Sequence, residues 1–206
     1  MKESFLQLPE DKRTSIINAA LRVFSQHGYK KSPMNEIAAE AGISKSLLFY
    51  YFKNKKELYL YVLKYSSEVK AQKMKEQRCY DKGDFFDVFT HSLLAMTDML
   101  RSYPECVTFE LKAYYLEETE VRADVERYIS QYSSFGVQTK QIAIDPEQFT
   151  EGLDLEMMYK NIYLACEGYL FEKISSGSLN ADEMERDYLK MIDHWKQIYL
   201  RRGVSL

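Results

Sequence analysis

Apolar side chains recur every three to four residues along almost the whole chain, and that period admits little besides helices. Ile16, Ile17, Ala20, Leu21 and Phe24 form one such stripe. Pro9, Glu10 and Asp11 suit the first turn before it: proline lacks only a donor that would be unpaired there, and acids favour the positive end of the helix dipole. Gly28 is expected to end this helix by adopting a left-handed conformation. A second helix is expected from Ser32-Pro33 through Met34, Ile37, Ala38 and Ala41 to Gly42, and a third from Ser44, as cap, to about Phe52. A fourth covers roughly 55–78, with Leu58, Val62, Tyr65 and Val69 on one face. Further helices are expected at about 84–102, 105–115, 118–138, 154–176 and 180–201, separated by Gly83, Pro104, "AIDPEQFTEG" and "SSGSLN". The chain therefore reads as all-α. A three-helix head, residues 1–54, is joined by the long fourth helix to a larger helical body, residues 55–206.

The residues offer little chemistry for catalysis. His27, His91 and His194 are isolated, with no second ligand at metal-binding spacing. There is no glycine-rich phosphate loop and no nucleophile elbow. We expect no enzyme activity, cofactor or metal. Three scattered cysteines, Cys79, Cys106 and Cys166, fit a reducing cytoplasm better than a disulfide framework. "MKESFLQLPEDKR" has no apolar core of a signal peptide, and no apolar run approaches the roughly 18 residues of a membrane span. A cytoplasmic protein without membrane contact is the expectation.

Charge is unevenly distributed. Residues 1–56 carry ten Lys/Arg and five Asp/Glu, a net +5; the remainder carries 18 and 26, a net −8. A basic end on an acidic body points to a polyanionic partner for that end. The same end contains two short helices separated by "AGIS", the spacing of a helix-turn-helix. Ala38 lets the helices cross closely, and Gly42 permits the tight turn. Ile37, Ile43, Leu48 and Phe52 would point inward. Lys45, Ser46, Phe49 and Tyr50 would then face outward with Leu47 at the edge, where side chains of a second helix reach base edges in a major groove.

The run "ALRVFSQHGYKKSPMNEIAAEAGISKSLLFYYFKNKKEL" resembles the DNA-binding head of the tetracycline-repressor (TetR) family of transcriptional regulators. The shared features are "FSQHGY" after the first helix, "IAAEAGIS", and "YYFKNKKEL" leading into the fourth helix. The motif covers about a quarter of the chain. The resemblance implies DNA contacts from Ser32, Met34 and Asn35, from Lys45, Ser46, Leu47, Phe49, Tyr50 and Tyr51, and a phosphate contact from Lys55. Phe49 stands where the family usually has Tyr, and Leu47 where Thr or Asn is common. Leucine cannot hydrogen-bond a base edge but can touch a thymine methyl.

The resemblance also implies a homodimer built on the last two long helices, acting on a double-stranded operator as a repressor released by a small effector. An alternative is control by a protein partner. Apolar stripes support pairing, with Met158, Ile162, Cys166, Tyr188, Ile192, Trp195 and Tyr199 as the expected dimer interface. The same stripes would also suit a protomer core. Phe89, Met96, Phe109, Tyr114 and Tyr163 are candidates to bind an apolar or aromatic effector between the helices at about 84–138 and 154–176, although such side chains are more often core.

Overall fold

Glycines, prolines and capping side chains set most of the helix boundaries. In the computed structural model, residues 1–78, 83–116, 119–132 and 145–201 are described. Among them are ten α-helices: α1 Glu3–Leu6, α2 Glu10–Lys31, α3 Met34–Glu40, α4 Lys45–Tyr51, α5 Lys55–Glu76, α6 Phe85–Ser102, α7 Pro104–Tyr115, α8 Arg122–Tyr132, α9 Leu155–Ser176 and α10 Ala181–Tyr199. There is also one 3₁₀ turn, Pro146–Gln148, and the described residues form no sheet beyond a single antiparallel bridge between Phe149 and Leu200. The all-α expectation holds. Gly28 breaks α2 as expected (φ 70°, ψ 173°), but a further turn, residues 29–31, follows the break. The short α1 was not anticipated. The expected helix ends at 138 lie outside the described residues, as does Cys79.

Two units emerge from the backbone contacts. The first comprises Met1–Val69 with Tyr103–Tyr132, the second Lys70–Ser102 with Ser133–Leu206.

In the first unit, α2 packs against α3 and α7, α3 against α4, and α7 against α8. The centre is aromatic. Phe24, Tyr59 and Phe109 meet at ring separations of 4.9, 5.0 and 6.1 Å, two of the three edge-to-face, the arrangement ring quadrupoles favour. Two polar links run beside it. Lys112 Nζ donates to the Ser25 carbonyl at 2.8 Å, and Ser25 Oγ donates to the Glu105 carbonyl at 3.4 Å. Thus α7, which the sequence placed in the body, is packed on the first helix of the head. Cys106 lies buried on α7, and burial pushes its thiol up to about 11. The thiolate needed for redox chemistry is correspondingly scarce at neutral pH.

In the second unit, α6 packs along α10. Asp154 caps α9 by accepting from Met157 N, and Asn180 caps α10 by accepting from Asp182 N and Glu183 N. Gly177 ends α9 in the left-handed conformation at φ 69°. Arg101 pairs with both Asp182 and Glu185 at 2.7 Å, tying α6 to the first turn of α10. Six of the seven residues expected at a dimer interface are buried within this unit: Met158, Ile162, Cys166, Tyr188, Ile192 and Trp195. Tyr199 is half-buried. Their stripe is therefore the protomer's own core. The Tyr188 hydroxyl donates to the Cys166 carbonyl at 3.2 Å, and the Trp195 ring meets Phe89 at 5.9 Å. Periodicity missed this because α9 is apolar on two faces, and period alone does not say which face turns inward.

Candidate nucleic-acid interface

The helix-turn-helix is built from local signals. After α3, Gly42 takes φ 68°; Gly42 N donates to Ala39 O at 3.1 Å and Ile43 N to Ala38 O at 2.9 Å. That paired pattern closes the helix end and is open to glycine because it has no Cβ. Ser44 then caps α4, accepting from Leu47 N at 3.1 Å. Leu48 and Phe52 are buried, as are Ile37 and Ala38 opposite them, so the inward face is the expected one; Ile43 is half-buried. Asn54 starts α5 by accepting from Glu57 N at 2.9 Å, while the Glu57 carboxylate reaches back to accept from Lys53 N, one residue ahead of the cap, at 2.6 Å.

On the outer side of α4, Lys45 and Ser46 are exposed, and Leu47, Phe49 and Tyr50 are 36%, 39% and 49% exposed. Three large apolar or aromatic groups on a seven-residue helix are a poor use of surface in water unless something covers them. Asn35, on α3, is exposed as well. These six candidates stay on the surface of one helix-turn-helix.

The other four are placed differently. Ser32 is buried, its hydroxyl 2.6 Å from the Gly28 carbonyl and 3.1 Å from that of Val23, where it closes the kinked end of α2. Met34 is buried in the head core. Tyr51 is buried with its ring 5.7 Å from Phe5. These three side chains are spent on the fold. Lys55 is not a simple surface cation either: its ammonium donates to the carbonyls of Lys30 at 3.0 Å and Ser32 at 3.3 Å, and sits 4.8 Å over the Tyr29 ring. It satisfies carbonyls that the end of α2 leaves without helical partners.

The family model described as "Bacterial regulatory proteins, tetR family" matches residues 16–62, the span from the middle of α2 into α5. Residues 16–62 thus carry the sequence of a TetR-family head. Its head is similar to the HTH-type transcriptional regulator RutR of Escherichia coli strain K12, with 45% identity over 53 residues. That match covers 26% of this chain and 25% of RutR, so the chain is aligned over only about a quarter of that relative's length. The fold as a whole is similar to a TetR family transcriptional regulator from Chloroflexus aurantiacus J-10-FL, with a TM-score of 0.72 and 23% identity, covering 98% of this chain and 99% of that one. It is also similar to AibR, solved in complex with isovaleryl coenzyme A and operator DNA, with a TM-score of 0.61 and 18% identity, covering 88% of this chain and 97% of that one. Relatives therefore resemble the chain closely in the head and by fold alone in the body.

The candidate effector residues divide between the two units. Phe89, Met96 and Tyr163 are half-buried in the second, and Tyr114 is half-buried in the first. Phe109 is buried among the aromatic rings of the first unit, which makes it core. Among the described residues no helix is long and apolar enough to cross a membrane.

Proposed function

We propose that this protein is a DNA-binding transcriptional regulator whose outer α4 face reads a double-stranded operator. The observation that carries the reading is the exposed set Lys45, Ser46, Leu47, Phe49 and Tyr50 on a capped helix-turn-helix in a basic segment. Lys45 supplies charge for phosphates, and Leu47 and Tyr50 reach base edges. Residues 1–54 serve as the DNA-binding domain and 55–206 as the effector-binding and dimerisation domain.

The protein works as a homodimer. The residues offered for pairing are not those of the buried stripe but Met157, Leu164 and Phe171 on α9, with Ile198 on α10, all about half exposed in the single chain. A major-groove reader of this kind uses two half-sites about one helical turn apart or somewhat more, matched to the two-fold axis of the dimer.

The regulator is a repressor released by a small apolar or aromatic molecule held in the body. AibR, similar in fold and solved in complex with isovaleryl coenzyme A and operator DNA, supports a chain of this fold that takes both a small ligand and DNA. Release requires a ligand that prefers a conformation with altered half-site spacing, and a coupling of about 1–3 kcal/mol suffices. A thermal-shift screen of apolar and aromatic compounds, followed by titration of a bound duplex with each hit, tests this. The expected result is hits that weaken DNA binding by roughly 5- to 150-fold. Hits that stabilise the protein and leave DNA affinity unchanged would sink the effector mechanism and favour control by a protein partner.

A further inference from the structure

The segment ahead of α2 lies across the end of the reading helix. Phe5 is fully buried in a box of rings, with centroids 4.8 Å from Phe52, 5.3 Å from Tyr61 and 5.7 Å from Tyr51. Lys2 N donates to the Tyr51 carbonyl at 2.9 Å, satisfying a carbonyl at the end of α4. Arg13 on α2 donates to the Leu6 carbonyl at 3.0 Å. The strap is thus fixed at three points, and it delivers the Lys2 ammonium to 3.7 Å from the centroid of the Tyr50 ring. Tyr50 is itself one of the outward groups of α4.

We infer that Lys2 is a DNA-contacting residue, donating to a backbone phosphate beside the bases that Tyr50 faces. This rests on the DNA-binding reading above. Two observations carry it. First, a cation held over a ring face keeps its N–H donors for an oxygen acceptor, because the attraction is to the ring quadrupole and not to a lone pair. Second, the lysine that the family resemblance assigned to a phosphate, Lys55, already donates to two carbonyls of its own protein. Lys2 therefore places a positive charge on the outward side of the reading helix, where Lys55 is committed inward. The ring also gains: a tyrosine on an exposed helix face loses rotamer freedom when it binds, and the ammonium above it holds it in one orientation beforehand.

The test compares wild type, Lys2→Gln and Lys2→Arg on a mixed-sequence duplex of roughly three helical turns, with affinity measured from low to moderate salt. Each neutralised phosphate adds about 0.9 to the slope of log affinity against log salt. Lys2→Gln should lower that slope by about 0.9, which is a three- to four-fold smaller change in affinity between about 50 and 200 mM salt. Lys2→Arg should keep the wild-type slope. All three should melt at the same temperature, since the Lys2 side chain is exposed. An unchanged slope in Lys2→Gln overturns the assignment, as does a slope lowered equally in Lys2→Arg. Wild-type protein that binds no duplex at any salt would instead show that the DNA-binding reading beneath it fails.

Discussion

Leu164→Glu is expected to convert the protein from a dimer to a monomer without unfolding it. Met157, Leu164 and Phe171 recur every seven residues along α9 and are 50%, 55% and 51% exposed. Asn161, Gly168 and Ser175, at the intermediate spacings, are exposed too, so the stripe is continuous over five turns or so of helix. A seven-residue repeat is the seam of two helices packed at a shallow angle. At Gly168 a Cβ would meet nothing within 4 Å in the single chain, which leaves room for a partner helix to come close. A carboxylate at position 164 would be buried without a counter-charge, at a cost of several kcal/mol after relaxation. Sedimentation should report a monomer with unchanged helicity. Operator affinity should fall by roughly 10²–10⁴-fold, because each head then binds its half-site alone. A variant that still sediments as a dimer would place the interface elsewhere. The same charge at Ile192, inside the protomer, should unfold the second unit instead.

Phe109→Ala should be the most damaging single truncation in the first unit. Phe109 is buried on α7 against Phe24 of α2 and Tyr59 of α5, so one ring joins three helices. Removing a buried phenylalanine costs about 3–5 kcal/mol through lost transfer energy and the cavity left behind. The neighbours are themselves large rings held edge-to-face, which limits how far they can collapse into the gap. Denaturant unfolding of the variant should show this loss. A cost below about 1 kcal/mol would mean that α7 is not welded to the head, and that Phe109 is available for the effector role the sequence suggested.

The head was legible because each of its parts is local. Pro9, Gly28, Gly42 and Ser44 act within a turn of where they stand, and the inward face of α3 and α4 follows from sequence spacing. The burial of Ser32 and Tyr51 was not legible, since each depends on a partner outside the motif: the kinked end of α2 for one, the strap residue Phe5 for the other. A signal for the strap was present in Phe5 and Leu8, two apolar residues just ahead of Pro9 and outside every helix expected from the sequence. The body was less legible. Which face of α9 lies inward depends on α6 and α10, and the stripe chosen from the sequence proved to be the core face. That α7 belongs with the head is a long-range fact, set by Phe109 and Lys112 reaching residues more than 80 positions away.

Whether α4 reads sequence is decided by selection from a random duplex pool, run with wild type and with Tyr50→Ala. Wild type should enrich a palindrome with half-sites about one helical turn apart or a little more. Tyr50→Ala should still bind, with its preference relaxed at one position in each half-site by about 1–3 kcal/mol. A wild-type pool with no enriched motif would contradict a sequence-reading role for this face.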